Sequence, residues 1–264
     1  MADPVELVQL AEAVARRAGT FLRDGLSDVR LDVSTKSTGT DMVSEMDRGA
    51  EAIIVEGLLG QRVHDGMLGE EGTDRAGTSG VRWIVDPLDG TTNYLYELPG
   101  FNVSIAAEVD GVVTAGVVYD VVHDELFAAT LGGGATRNGA EIAASVVTDL
   151  GSALVGTGFS YDAARRRRQA EVLVQVLPHV RDIRRSGAAA VDLCSVACGR
   201  LDGYYERGLA LWDLAAGGLI AAEARAVVTG FDGGVALPGE VVAAGAGVAA
   251  ALRDLVWSAG AAEA

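Results

Sequence analysis

The stretch that decides the fold is "VRWIVDPLDGTTNY", residues 81–94. Its opening, Val81-Arg82-Trp83-Ile84-Val85, is rich in β-branched and aromatic residues and predicts a strand ending at Asp86. Pro87 fixes its own φ and biases Asp86 toward extended geometry, while Gly90 permits a sharp change of direction, so the segment reads as a rigid bend. Two carboxylates, Asp86 and Asp89, are thereby held at a strand end. Gly90, Thr91 and Thr92 follow with backbone amides and hydroxyls at a helix start, a seat suited to phosphate.

Upstream, Leu7, Leu10, Ala11, Val14, Ala18, Phe21 and Leu22 recur at helical spacing and predict an amphipathic helix over residues 4–24. A second helix is expected over about 44–59, with Asp47 in its first turn, where a negative charge favours the helix N-terminus. Downstream, NVSIAAEV, VVTAGVVYD and DELFAAT read as short strands joined by Asp-Gly and Asp/His turns, an antiparallel sheet. Beyond about residue 150, apolar runs alternate with helices over 163–177 and around Cys194. A further helix is expected after Trp212 and Asp213, giving a second α/β layer. No internal repeat or long linker interrupts the 264 residues, enough for one large domain or two closely packed ones.

The 37 acidic residues outnumber 21 basic ones and leave a formal charge of −16, which argues against a nucleic-acid surface. The one basic run, arginines 165–168, has no interleaved aromatics and reads as a solvated helix opening. No apolar run reaches the roughly 18 residues of a membrane span, and the acidic, amphipathic opening is unlike a signal peptide, so a cytoplasmic protein is expected. Cys194 and Cys198 share a helix face, poorly placed for a disulfide, and read as free thiols. His64, His123 and His179 are too scattered for a zinc site.

The chemistry gathers in the acids attached to apolar flanks: Asp86 and Asp89, the Glu70-Glu71 pair in GMLGEEG, and Asp213 after Trp212. Taken singly, each also reads as a turn former or cap. Taken together, without nearby histidine or cysteine, their hard oxygen donors suit Mg²⁺ or Mn²⁺.

These residues resemble the inositol monophosphatase family, whose signatures W-I-x-D-P-L/I-D-G-T-T-N and W-D-x-A-A-G stand here at 83–93 and 212–217. TKSTGTDMVSEMD, GEEG and YYERGLALWD extend the match along the chain. The resemblance implies an α/β (α+β) protein, an αβαβα layered sandwich of the inositol monophosphatase and fructose-1,6-bisphosphatase type. Residues 1–145 would form an N-terminal half with the antiparallel sheet and metal-binding carboxylates. Residues 146–264 would form a C-terminal half completing the site, the two packed as one unit.

The same resemblance implies a phosphoric monoester hydrolase that uses two to three Mg²⁺ ions, with Mn²⁺ able to substitute, is sensitive to lithium and forms a homodimer. Glu70, Asp86 and the Leu88 carbonyl would hold one metal, and Asp86, Asp89 and Asp213 a second. Asp89 and the amides of Gly90 and Thr91 would contact substrate. Thr91, oriented by Asp47, and Glu70 would help activate a water for in-line attack on phosphorus, the two-ion clamp stabilising charge. Lys36, the sole lysine of the chain, matches a loop that closes over the metals. Glu206 would accept hydroxyls of a polyol beside a wall containing Gly187 and Ala189.

Ala188 and Ser160 depart from common residues of the family, and that leaves the polyol open. Inositol 1-phosphate is the expected substrate, with fructose 1,6-bisphosphate, histidinol phosphate and 3′-phosphoadenosine nucleotides as alternatives. A binding protein of transcription complexes is the alternative of another class. The expected partners are a small phosphorylated polyol and a second copy of the chain, with no membrane and with nucleic acid only a minor hypothesis.

Overall fold

The structure is a computed structural model that describes residues 2–32 and 39–264. Its N-terminal elements are α1 (Pro4–Asp32), α2 (Gly39–Gln61), β1 (Gly66–Gly69), β2 (Asp74–Arg75), β3 (Val81–Asp89), α3 (Thr91–Leu95), β4 (Asn102–Val109), β5 (Val112–Asp120), β6 (Glu125–Thr130), β7 (Gly134–Arg137) and β8 (Ala140–Glu141). There follow β9 (Leu154–Thr157), α4 (Ala163–Val176), β10 (Asp182–Arg184), α5 (Ala189–Ala197), β11 (Gly203–Arg207), α6 (Leu211–Glu223), β12 (Ala226–Thr229), β13 (Glu240–Gly245) and α7 (Ala249–Ser258).

The first sheet has eight strands in the order β2-β1-β3-β4-β5-β6-β7-β8. It is antiparallel as expected, except that β1 runs parallel to β3. Side chains alternate across its faces. Trp83, Val85, Val103, Ile105, Val117 and Tyr119 pack under Leu7, Val14, Ala18, Ile54 and Leu58 of α1 and α2. Ile84, Ala106 and Val118 point the other way, against Ala190 and Cys194 of α5 and Ala216 and Ile220 of α6. Both faces are covered, which is why the central strands are nearly continuous apolar runs.

The second sheet, β10-β9-β11-β13-β12, repeats the logic. Tyr204, Val241 and Ala243 meet Leu193 and Leu214 from α5 and α6. Tyr205, Val242 and Ala244 meet Val172 and Val176 of α4 and Leu252 and Val256 of α7. Helices α5 and α6 are therefore the middle layer of an αβαβα sandwich, and small residues let them fit. A Cβ on Gly116 of β5 would lie 3.0 Å from the Ala216 carbonyl, and one on Gly217 would lie 3.0 Å from Leu193 Cβ.

Several expected boundaries move. Helix α1 runs on to Asp32 and α2 begins at Gly39, because extending a formed helix costs one residue's ordering per added bond. Asp47 consequently sits well beyond the first turn of α2, out of reach of the N-terminal dipole. Strand β3 does not end at Asp86 but continues to Asp89 through a bulge, Asp86 opposing Ser104 and Asp89 opposing Asn102. The bulge is where Pro87 loses nothing by lacking an N–H. Trp212 and Asp213 lie inside α6 rather than ahead of it. Lys36 falls outside the described residues. Cys194 is buried, Cys198 half-buried, and both are free. Among the described residues no helix is long and apolar enough to cross a membrane.

Candidate active site

Three elements deliver the acids to one place. Gly69 pairs with Val85 in the parallel β1–β3 ladder, and the Glu70 amide donates to the Val85 carbonyl at 3.1 Å. The residue leaving β1 therefore stands beside Asp86. Within the bulge, the Leu88 amide donates to Asp86 Oδ1 at 3.0 Å, which turns the carboxyl back over its own bend. Ser104, opposite Asp86, donates its hydroxyl to the Trp212 carbonyl at 3.2 Å and ties the start of α6 to this part of the sheet. Asp213 then reaches back to the Ala210 amide at 2.6 Å, an acid satisfying a free N–H of the first turn.

Asp89 is fixed from two sides. Asn102 Nδ2 and the Ala190 amide each donate to its Oδ2 at 2.9 Å. Gly90 follows at φ 90°, and a Cβ there would lie 2.6 Å from the Gly100 carbonyl, so this turn into α3 requires glycine. The first amides of α3 have no partner within the helix. The Thr91 hydroxyl donates to the Leu88 carbonyl at 3.2 Å. Asn93 holds the turn in place, donating to the carbonyls of Gly100 and Ser186 at 2.9 and 2.8 Å.

Burial and mutual repulsion dominate the electrostatics. Desolvation pushes the Asp86 carboxyl well up, and Asp89, Glu70 and Asp213 all push it the same way. Asp89 is pushed up to about 8 by burial and by Asp213, against the donors Asn102 and Ala190. Glu70 and Asp213 are also raised, chiefly by desolvation, with Asp86 acting on both in the opposite direction. Behind them Asp47 is pushed up to about 8 by burial and by Glu71, Glu70 and Glu51, and its Oδ1 is buried without a hydrogen-bond partner.

Among the described residues no three His, Cys, Asp or Glu side chains stand ready to enclose one metal ion. The chemistry of the set nonetheless fits a hard divalent cation: all-oxygen donors and mutual repulsion that a positive charge relieves.

The same cleft is lined by Glu206, to which the Tyr204 hydroxyl donates. Burial raises Glu206 to about 7 despite that donor, with Asp213 adding to the rise and Arg185 opposing it. Gly158 faces it so closely that any Cβ would collide with the carboxyl. At the rim, the Tyr161 and Thr92 hydroxyls meet at 3.0 Å across the cleft mouth.

Glu70, Asp86, Leu88, Asp89, Gly90, Thr91, Gly187, Ala189, Glu206 and Asp213 all line this one cleft of about 270 Å³. Asp47 stands behind it rather than on its surface. Sequence reasoning missed Asn102, Tyr204, Tyr161 and Arg185. Asn102 had a signal, a polar residue opening an apolar strand. Tyr161 and Arg185 sit in loops whose direction no pattern reveals.

A layered sandwich with acids and a glycine–threonine turn converging at strand ends is the arrangement of a phosphatase. Comparison with known proteins makes the class particular. The Inositol monophosphatase family profile matches residues 3–262. Inositol-1-monophosphatase of Mycobacterium leprae is 44% identical over 270 residues, covering 95% of this chain and 93% of that protein. Nus factor SuhB of Escherichia coli is 36% identical over 241 residues, 90% of each. The solved structure of Mycobacterium tuberculosis SuhB superposes with a TM-score of 0.86 at 39% identity, covering 98% of both chains. The chain belongs to the inositol monophosphatase family, a generally metal-dependent one, and has its fold.

Proposed function

We propose that the protein is a Mg²⁺-dependent phosphatase of small phosphorylated polyols, with inositol 1-phosphate as substrate. The observation that carries this reading is the convergence, on one cleft, of the Glu70, Asp86, Asp89 and Asp213 acids, the Gly90–Thr91 turn and Glu206. Glu70, Asp86, the Leu88 carbonyl, Asp89 and Asp213 would hold Mg²⁺, which when bound supplies charge neutralisation and Lewis acidity.

The chain's own groups do the rest. The amides of Gly90 and Thr91 seat the phosphate at the head of α3. Glu206, held by Tyr204 on one oxygen, keeps the other for a substrate hydroxyl and thereby favours a polyol leaving group over an apolar one. Glu70, with its raised carboxyl, is the base placed to take a proton from attacking water, and Thr91 orients that water. A second copy of the chain is the proposed partner.

Phosphate release from inositol 1-phosphate, fructose 1,6-bisphosphate, histidinol phosphate and a 3′-phosphoadenosine nucleotide, with Mg²⁺ and with EDTA, tests the reading. Turnover of inositol 1-phosphate above the others, abolished by EDTA, is expected. Release from none of them would overturn it and favour the binding role suggested by the name of the E. coli relative.

A further inference from the structure

Glu51 belongs to no part of the chemistry described so far, yet it is a buried acid that makes three hydrogen bonds to a single turn. It lies on α2 four residues after Asp47, on the same helix face. Its Oε2 accepts the Glu71 amide at 3.0 Å, and its Oε1 accepts the Thr73 amide at 3.2 Å and the Thr73 hydroxyl at 2.5 Å. All three donors lie in the 69–73 turn that carries Glu70 between β1 and β2. The turn closes on itself through the Gly69 amide, which donates to the Thr73 carbonyl at 2.7 Å. Gly69 also makes room for the acid, since a Cβ there would lie 2.4 Å from Glu51 Oε2.

Glu70 is thus held from two directions. Its own amide is part of the sheet, bonded to the Val85 carbonyl beside Asp86, and the next amide is bonded to α2 through Glu51. The sheet alone sets where Glu70 leaves β1. Without Glu51, the outer half of the turn would keep few bonds to set where the chain goes next. A carboxylate is the side chain that can do this, because it is acceptor-only and presents two oxygens to three donors, and charge-assisted bonds of that kind are the strong ones. Arg48, also on α2, acts on the Glu71 carboxyl of the same turn, whereas Glu51 holds the turn's amides. Glu51 also adds negative charge behind Asp47, Glu70 and Glu71, so the same bonds that fix the turn deepen the demand for a cation in front of it.

We propose that Glu51 is the positioning residue of the cleft: its carboxylate clamps the 69–73 turn to α2 so that Glu70 stays directed at Asp86. The assignment rests on the phosphatase reading, and the test keeps the two separable. Glu51→Gln is isosteric but offers one carbonyl oxygen in place of two, so one set of donors faces an amide N–H₂. Amide hydrogen exchange of the metal-free protein reads the clamp without activity. Exchange at Glu71 and Thr73 should quicken by about tenfold, the loss of one such bond, while the Glu70 amide, bonded to Val85, stays protected.

Titration with Mn²⁺ alone should then show binding weakened about 10- to 100-fold, and kcat on inositol 1-phosphate should fall by a similar factor with KM held. Thr73→Val removes only the hydroxyl and should move every readout in the same direction by a smaller factor, which keeps the test open if the first variant does not fold. Wild-type exchange at both amides in Glu51→Gln would overturn the clamp. Lost protection with unchanged Mn²⁺ binding would overturn its role in positioning. A wild type that hydrolyses none of the esters would sink the phosphatase reading, and the Mn²⁺ titration would still decide for or against Glu51.

Discussion

Asp89→Asn offers the sharpest test of the claim that the cleft is strained by its own acids. Both donors to Asp89, Asn102 Nδ2 and the Ala190 amide, converge on the same oxygen. An asparagine can set its carbonyl oxygen there, keep both bonds, and turn its N–H₂ toward the neighbouring carboxyls as a donor. The substitution therefore removes charge with little loss of contact. In the wild type the folded-state value is raised from 3.8 to about 8. A raised acid contributes fully below about pH 4, where folded and unfolded chains are both protonated, and loses that contribution as pH climbs toward 8, because only the unfolded chain ionises freely.

The loss is about 1.4 kcal/mol per pH unit for one proton, which for Asp89 alone is on the order of 4 kcal/mol at pH 7. Denaturant unfolding in EDTA should show Asp89→Asn more stable than the wild type, with a gap that widens from pH 5 to 7.5 at that slope. In melting temperature the gap at pH 7 amounts to roughly 10 °C for a chain of this size. Saturating Mg²⁺ should reverse the order, since a cation bound only by the folded wild type stabilises it by mass action and the variant has lost a ligand. A variant that is less stable than the wild type in EDTA at pH 7.5, or a gap of the same size at pH 5, would refute the reasoning.

Two further outcomes follow from Glu206 and from the sequence. Glu206→Gln should lower kcat/KM for polyol esters by about 10- to 100-fold, the loss of one charge-assisted hydrogen bond, with Mg²⁺ dependence unchanged. Because Glu206 is raised to about 7, wild-type preference for polyol esters over a simple aryl phosphate should grow as pH rises through that value, and the variant should lose the trend. Lys36 is the only lysine, so an amine-reactive reagent has that side chain and the N-terminal amine to modify. Labelling at Lys36 should inactivate, and Mg²⁺ with phosphate should slow both labelling and inactivation. Full activity after complete, mass-verified modification would make the lone lysine a bystander.

What the sequence made legible follows from the range of each interaction. The 81–94 stretch announces itself because its strand, proline and glycine all act on neighbours a few residues away. The amphipathic stripe of α1 is legible for the same reason. The parallel pairing of β1 with β3 was not, since GMLG is too short and too glycine-rich to declare a strand, although that pairing is what sets Glu70 beside Asp86. The bulge that carries β3 past Pro87 to Asp89 depends on Ser104 and Asn102, a hairpin's length away. Glu51 reads as one more charge on a helix, and its role exists only because the 69–73 turn folds back over α2.

The acids therefore come from parts of the chain that have little local reason to be together, and every one of them resists the assembly in the absence of a cation. The middle layer is what supplies the opposing stability. Ala215, Ala216 and Gly217 lie two to four residues after Asp213, and their lack of bulk lets α6 approach β5 on one side and Leu193 of α5 on the other. The Ala190 amide that fixes Asp89 comes from α5, the other helix of this layer. Two acids are thus anchored through the closely packed middle layer, and packed interiors yield little to strain. Glu70, by contrast, is carried on an exposed turn held to the core mainly through Glu51. The site combines two acids anchored through the middle layer with a third held by one sheet bond and by the Glu51 clamp, so changes in the cleft should appear first at the 69–73 turn.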